Sequence, residues 1–248
     1  MSAVIQDSKI MNLEKIIDDA YALYMPQIRS EITQLAELVR NEYGLTPKSA
    51  PYNILEIGTK YGGTFHIWSS INQSSGMNIS IDVSDGGRHG GISEEEMDKR
   101  DLWFYERFDN VHFVRGDSHS DATKLEVMNL LNLKYASENV WGTDRQEYFI
   151  LSKPIIDVLF IDGDHTKEGV KQDFLDYEPF CKKDSIICFH DINDSPRHRE
   201  RDVFVSEFWK ELNENENDGV TEYNGKYYRV MEFNAGQDWA GIGILIKK

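Results

Sequence analysis

The segment Asn53–Thr64 constrains the fold more than any other part of the chain. Its sequence is Asn-Ile-Leu-Glu-Ile-Gly-Thr-Lys-Tyr-Gly-Gly-Thr, in which an apolar run enters a glycine-rich turn that precedes a helical pattern. Gly58 allows the chain to leave a strand in a conformation that a side chain would obstruct, and Gly62 and Gly63 allow bare backbone to approach a ligand and the next helix. The segment therefore predicts either a nucleotide-cradling unit or a tight strand-helix connection without a ligand.

The glycine spacing, G-x-x-x-G-G, bears on which nucleotide would bind. A dinucleotide fold uses G-x-G-x-x-G to seat a pyrophosphate, whereas Lys60 occupies the middle position here. With the acidic Glu56 two residues before the first glycine, the segment resembles the first motif of class I S-adenosylmethionine-dependent methyltransferases. This resemblance implies that an adenosine-containing cofactor is contacted by Glu56, Gly58, Thr59, Gly62 and Thr64.

Short apolar runs alternate with helical stretches along the rest of the chain. Five such runs, at 54–57, 78–83, 111–114, 155–161 and 185–189, predict a parallel sheet that is buried on both faces. Two further runs, at 227–233 and 240–246, flank Asn234-Ala235-Gly236 and predict an antiparallel hairpin. We therefore expect an α/β, Rossmann-like fold: a seven-stranded, mostly parallel sheet with helices on both faces and a C-terminal antiparallel hairpin.

The domain organisation follows from the same patterns. Helical spacing between residues 12 and 40 predicts an N-terminal helical segment, 1–48, that packs on or caps the core of a methyltransferase domain at 49–248. Two excursions interrupt the alternation. For residues 86–110 the alternatives are a substrate lid, a packing helix and an oligomer contact. The role of residues 136–154 stays open.

Polar residues at the predicted strand ends are the next candidates, because open parallel sheets bind ligands outside the carboxyl ends of their strands. Asp82 ends the second strand, where an acid can accept hydrogen bonds from both ribose hydroxyls or can simply begin a solvated turn. Asp117 and Ser118 follow the third strand, where they would either hydrogen-bond an adenine amino group or cap the next helix.

The fourth and fifth strands end in acidic and histidine residues. Asp162 and His165 follow the fourth strand, while His190 and Asp191 follow the fifth. Two carboxylates facing one cleft repel each other unless a cation lies between them, and Mg²⁺ prefers such oxygen ligands. His165 can accept a proton near neutral pH, since an unperturbed imidazole has a pKa of about 6.5. His190 is a less natural Mg²⁺ ligand, so it either orients Asp191 or indicates a softer metal.

Three phrases resemble the metal-dependent small-molecule O-methyltransferases, which include macrolide-sugar and rhamnosyl O-methyltransferases and proteins once labelled cephalosporin hydroxylase. These are Phe-Ile-Asp-Gly-Asp-His-Thr-Lys-Glu-Gly-Val-Lys-Gln-Asp-Phe, Phe-His-Asp-Ile-Asn-Asp and Val-Ser-Glu-Phe-Trp-Lys-Glu-Leu. The resemblance implies that Asp162 and Asp191 are metal ligands, that Asp162 also lines the cofactor pocket, and that His165 is the general base. His190 departs from the acidic or oxygen ligand of those relatives, although it is retained in the predicted metal set.

The predicted function is therefore O-methyl transfer from S-adenosylmethionine to a hydroxylated small molecule such as a sugar, polyketide or catechol, assisted by Mg²⁺ or another divalent cation. Two alternatives are an NAD-binding oxidoreductase and a non-catalytic nucleoside-binding protein on the same scaffold. The net charge of −16 disfavours a nucleic-acid partner. Because no secretory pattern or apolar membrane-spanning run is present, we expect a cytoplasmic protein without a membrane partner, whose homo-oligomerisation stays open.

Overall fold

The computed structural model describes residues 12–43, 51–72, 76–84, 91–132 and 156–248. Within these ranges one sheet has eight strands. The strands are β1 (Ile54–Ile57), β2 (Asn78–Asp82), β3 (Val111–Arg115), β4 (Ile156–Ile161), β5 (Cys181–His190), β6 (Val220–Tyr223), β7 (Lys226–Phe233) and β8 (Ile242–Lys247). The helices are α1 (Leu13–Ala22), α2 (Arg29–Tyr43), α3 (Gly63–Ile71), α4 (Glu94–Tyr105), α5 (Asp121–Asn132), α6 (Lys167–Tyr177), α7 (Pro196–Arg199) and α8 (Val205–Leu212).

The strand order is β3-β2-β1-β4-β5-β8-β7-β6. Strands β1 to β5 pair in parallel, whereas β8 pairs antiparallel with both β5 and β7. This arrangement confirms the predicted α/β fold with a mostly parallel sheet and a C-terminal antiparallel hairpin. The strand order changes direction between β1 and β4, and the crevice at such a switch point is where doubly wound sheets bind ligands.

The predicted count of seven strands is wrong by one, because β6 adds an edge strand beyond β7. Asn224 and Gly225 join β6 to β7, and both have positive φ angles, of 51° and 75°. Two adjacent residues in this conformation form the two-residue hairpin turn whose twist matches the flanking strands, and Asn-Gly is its commonest sequence. The signal was therefore present in the sequence, directly before the run that became β7.

Side chains of the central strands alternate between two apolar cores, one on each face of the sheet. In β4, for example, Leu159 and Ile161 join one core while Val158 and Phe160 join the other. The first core is covered by α5, α6 and α8, and the second by α1, α2, α3 and Phe104 of α4. The central strands are thus buried on both faces, as their continuous apolar runs indicate.

The N-terminal helices share the second core with α3. Asn12 caps α1 by accepting a hydrogen bond from the Glu14 amide, and the buried face of α1 includes Ile17 and Ala20. The division of the chain at residue 48 stays a prediction, because residues 44–50 lie outside the described ranges. None of the helices in those ranges combines the length and the apolar character that a membrane span requires.

Candidate functional site

Gly58 is the point at which the chain leaves β1 and touches the end of β4. Its φ angle is +88°, and a Cβ at this position would overlap the carbonyl group of Asp162. Its amide donates a hydrogen bond of 2.9 Å to the Ile81 carbonyl, which keeps the turn in line with β2. A glycine is therefore required here by both backbone conformation and space, so that the loops after β1 and β4 can meet at the switch point.

The other two loop glycines accommodate neighbouring parts of this chain. A Cβ at Gly62 would lie 2.7 Å from the ring of Phe104 in α4, and one at Gly63 would lie 2.6 Å from Met25 Cβ in the α1–α2 connection. The space predicted for approach to a ligand is thus used for packing of α4 and of the N-terminal segment. Thr59 and Thr64 are buried beside these glycines, and the Thr59 hydroxyl is hydrogen-bonded to that of Ser80.

Asp82 ends β2 as predicted, but its carboxylate already binds several donors. Oδ2 accepts hydrogen bonds from the Lys60 amide at 2.7 Å and from Arg100 Nη1 at 2.9 Å, while Oδ1 accepts one from the Val83 amide at 2.9 Å. Arg100 is almost fully buried and also donates to the Lys60 carbonyl. Asp82 therefore ties the glycine loop to α4, and only Oδ1 keeps a second acceptor position for a ligand hydroxyl.

Helix α4 forms most of the described part of the excursion at residues 86–110. Phe104 is fully buried in the second core and Arg100 holds Asp82, which favours the packing-helix interpretation over a lid for the described part of this excursion. Residues 86–90, and the whole of the excursion at 136–154, lie outside the described ranges.

Asp117 and Ser118 follow β3 but are bound within the protein. Ser118 Oγ donates a hydrogen bond of 2.6 Å to Asp173 Oδ1 on α6, and the exposed Asp117 accepts one of 3.0 Å from the His119 amide. The hydroxyl that accepts from an amide in the first turn of α5 is Ser120, at 3.2 Å from the Thr123 nitrogen, so Asp117 does not cap that helix. If Ser118 contacts adenine as predicted, its hydroxyl has to bind the adenine and Asp173 at the same time.

The acidic strand ends of β4 and β5 meet, together with two histidines. His165 Nε2 lies 3.2 Å from Asp162 Oδ1 and 3.4 Å from Asp191 Oδ2. His190 Nδ1 lies 3.1 Å from Asp162 Oδ1 and 3.3 Å from Asp191 Oδ1. Thr166 caps α6 by accepting a hydrogen bond from the Gly169 amide, which leaves Asp162 available to this cluster.

The histidines supply positive charge to the two buried carboxylates. Burial alone would raise the pKa of Asp191, but His190 and its neighbours hold that pKa well below the usual range, and His190 and His165 likewise lower the pKa of Asp162. Burial would lower the pKa of His190, whereas Asp191 and Asp162 raise it well above its ordinary value. Both histidines thus place a ring nitrogen within 3.4 Å of each carboxylate, where it offsets part of the repulsion that predicted a cation.

The cluster also fits a metal ion. Asp162, His165 and Asp191 each offer a ligand atom, and these three atoms lie within 4.8 Å of one another. The predicted metal set was Asp162, Asp191 and His190; the histidine that joins the two acids in this geometric group is His165. His190 contacts the same carboxylates through Nδ1, which suits a residue that orients the ligands. A cation bound there would require a neutral imidazole at the nitrogen that contacts it.

Glu56 lies beneath the glycine loop and has no solvent exposure. Burial raises its pKa well above the ordinary value, and the nearby Asp162 adds to that shift, so the fold favours the neutral acid. The side chains of Trp68 and Thr59 hydrogen-bond its carboxyl group, which offsets part of that shift.

Two further side chains at the cluster were missed by sequence reasoning. Gln27 Nε2, from the α1–α2 connection, donates a hydrogen bond of 2.8 Å to Asp162 Oδ2. His198, on α7, donates through Nδ1 to the Asn193 carbonyl at 2.7 Å and lies 3.4 Å from Asp191 Oδ1 through Nε2. No local pattern marks Gln27, because its contact with Asp162 spans 135 residues and depends on how α1 and α2 pack.

The fold and this site define a Rossmann-like α/β domain of the class I S-adenosylmethionine-dependent methyltransferase type. A family model described as a methyltransferase domain matches residues 55–192, which is more than half of the chain. The chain belongs to this methyltransferase domain family and is an S-adenosylmethionine-dependent methyltransferase, as the sequence predicted. No curated protein sequence matches the chain significantly.

Solved structures resemble the whole chain in fold. A Staphylococcus aureus protein described as a caffeoyl-CoA O-methyltransferase has a TM-score of 0.56 at 20% identity, over 96% of this chain and 92% of that chain. The O-methyltransferase TomG from Streptomyces achromogenes has a TM-score of 0.53 at 15% identity, over 95% and 89%. The MycE methyltransferase of the mycinamycin pathway has a TM-score of 0.52 at 14% identity, over 95% of this chain and 54% of that chain. At these identities the likeness shows the fold.

Proposed function

We propose that this methyltransferase transfers the methyl group of S-adenosylmethionine to a hydroxyl oxygen of a small molecule, with a divalent cation such as Mg²⁺ at Asp162 and Asp191. The observation that carries the proposal is the meeting of Asp162, His165 and Asp191 at the switch point, directly beside Gly58. The resemblance in fold supports it: TomG was solved with the methyl donor, and MycE with Mg, SAH and mycinamycin VI.

The cofactor would lie along the carboxyl ends of β1, β2 and β3. We assign the donor's contacts to the residues that the sequence indicated, with Asp82 Oδ1 as the ribose acceptor and Glu56 beneath the loop. S-adenosylmethionine supplies an electrophilic methyl group on a sulfonium, so the protein has to hold the acceptor oxygen in line with it. The further donor contacts are Gly58, Thr59, Gly62, Thr64, Asp117, Ser118 and Asp162.

His165 would take the proton that the acceptor hydroxyl loses. His165 Nε2 lies 3.2 Å from Asp162 Oδ1 and 3.4 Å from Asp191 Oδ2, so the imidazole stands beside the place where the acceptor hydroxyl would be held. The same two carboxylates then stabilise the imidazolium that forms. A divalent cation would supply Lewis acidity, which lowers the pKa of a hydroxyl group. A chelating acceptor, such as a vicinal diol or a catechol, suits a site of this kind.

A methyl-transfer assay with labelled S-adenosylmethionine and a panel of sugars, polyketides and catechols tests the proposal. We expect turnover that falls in chelator and returns with Mg²⁺. His165→Gln should lower kcat by about 100-fold or more, the usual contribution of a general base, while the dissociation constant of S-adenosylhomocysteine changes less than about twofold. His112→Gln, on β3 outside the cluster, is the matched control.

Each part of the proposal has its own contradicting result. Equal rates with and without chelator would show that no cation takes part in the reaction. Full activity of His165→Gln would show that His165 is not the general base. Binding of S-adenosylhomocysteine without transfer to any hydroxylated acceptor would favour methylation of another atom or a binding role.

A further inference from the structure

The connection between α1 and α2 contributes a buried amide to the acidic cluster. Gln27 is 5% exposed, and its Nε2 hydrogen bond to Asp162 Oδ2 measures 2.8 Å. The other oxygen of this carboxylate, Oδ1, is the one that faces His165 and His190. Gln27 therefore holds the side of Asp162 that the histidines leave open, and it does so without adding charge.

Gln27 is held in place by α1, and its neighbours in the connection pack against the glycine loop. Its carbonyl accepts a hydrogen bond of 2.6 Å from the Tyr21 hydroxyl. Met25, two residues earlier, packs where Gly63 has no side chain, and the ring of Tyr24 lies 5.4 Å from that of Tyr61 in the same loop. The connection thus rests directly on the predicted cofactor loop.

Glu31, in the first turn of α2, anchors the end of this connection to the segment between β7 and β8. Its buried carboxylate accepts hydrogen bonds from the amides of Ala235 at 2.9 Å and Gly241 at 3.1 Å, in the connection between β7 and β8. A carboxylate bound to several backbone amides is a strong anchor. Gln27 is therefore fixed between two anchored points, as a residue that positions another group has to be.

One polar atom of the Gln27 side chain is buried in a way that lowers the stability of the fold. Its Oε1 is buried and has no hydrogen-bond partner within the described residues. An unpartnered buried oxygen destabilises a fold, and an apolar side chain of similar size would avoid that cost. The contact that the Gln27 amide does make is its hydrogen bond to Asp162.

We propose that Gln27 is a positioning residue that orients Asp162 for methyl transfer, and that the N-terminal segment thereby forms part of the active site. This inference rests on the proposed function, because it needs Asp162 to act in the reaction. The N-terminal segment then couples the cofactor loop to the acceptor side of the site, through Met25 on one side and Gln27 on the other.

Gln27→Met tests the inference because it removes the amide and keeps the volume. We expect kcat to fall about tenfold to 100-fold, as for other small misplacements of reacting groups, while KM for S-adenosylmethionine changes less than about twofold. The melting temperature should stay equal or rise, because the unpartnered oxygen is gone. Gln27→Asn, whose amide is too short to reach Asp162, should lose kcat in the same way. The matched control is Gln34→Met, on the exposed side of α2.

The outcomes separate the two proposals. An active wild-type protein with an unchanged kcat in Gln27→Met and Gln27→Asn would overturn the positioning role alone. A lower melting temperature with kcat preserved would show that Gln27 is only structural, and an equal loss in Gln34→Met would do the same. A wild-type protein that methylates no acceptor oxygen would overturn both proposals.

Discussion

Asp191 shows how single residues shape this site. Its φ angle is 63°, a left-handed conformation that non-glycine residues seldom adopt, although Asp tolerates it better than most. The turn comes directly after His190, the last residue of β5, and brings Asp191 Oδ1 within 3.3 Å of His190 Nδ1. Backbone strain of this kind concentrates at functional sites, where surrounding contacts hold the conformation. The carboxylate is thereby kept at the sheet edge that also carries Asp162.

Gly58 gives the sharpest residue-scale prediction. Gly58→Ala places a methyl group on the Asp162 carbonyl at a φ angle of +88°, so it should lower the free energy of unfolding by about 2 kcal/mol or more and abolish cofactor binding. Chemical denaturation and S-adenosylhomocysteine titration measure both effects. Gly225→Ala is the control: it has a similar φ angle of +75° but no heavy atom within 4 Å, so it should cost only about 1 kcal/mol. Equal costs would contradict the close approach of the two loops.

At the scale of elements, buried polar contacts join the β3–α5 loop to α6. Asp173 on α6 is fully buried; it accepts from Ser118 at 2.6 Å and lies 3.1 Å from His119 Nε2. Tyr177, one turn further along α6, donates to the Ser118 carbonyl at 2.9 Å. These contacts fix the end of β3, where the adenine contact is proposed, against the helix that follows the Asp162 loop.

This junction predicts a pH dependence of stability. The hydrogen bond to Asp173 raises the pKa of His119 to about 9, so its stabilisation is fully present below the unfolded value of about 6.5 and is lost as pH rises through about 9. The difference in unfolding free energy between wild type and His119→Gln should therefore be largest near pH 6 and shrink toward about pH 9.5. Denaturant titrations at three pH values measure it.

His112 provides the control for that series. Burial lowers the pKa of His112, so its protonation changes only below about pH 6.5, and the cost of His112→Gln should stay constant over the same window. A cost of His119→Gln that does not vary with pH would show that the Asp173 contact carries no net charge interaction.

Individual elements differ in how far sequence alone defined them. The apolar runs that became β1 to β5 were correctly assigned as strands, since a short apolar run is a local property of the sequence. Strand β6 was not predicted, although Asn224-Gly225 is a typical hairpin-turn sequence directly after it. The packing of α4 against Gly62 had no local signal, because the contact joins a loop glycine to a ring in a helix 42 positions later.

At the scale of the whole molecule, ligand binding should stabilise the fold. At about 100 times its dissociation constant, S-adenosylhomocysteine should add about 2.7 kcal/mol to the unfolding free energy, which for a chain of this size raises the melting temperature by about 5 to 10 °C. NAD⁺ should give no shift. Thermal denaturation with each ligand makes the comparison, and a shift with NAD⁺ alone would restore the oxidoreductase alternative.

The sequence by itself determined the strand-turn-helix unit at Gly58, the alternation of strands and helices, and the presence of Asp82, Asp162 and Asp191 at strand ends. These follow from backbone conformation and side-chain period, which act over a few residues. Only the tertiary structure decided which ends meet. The strand order brought the ends of β4 and β5 together. Helix packing brought Gln27 to Asp162 across 135 residues, and the fold paired Asp82 with Arg100 in a salt bridge. Such contacts depend on how the elements pack, which local pattern does not encode.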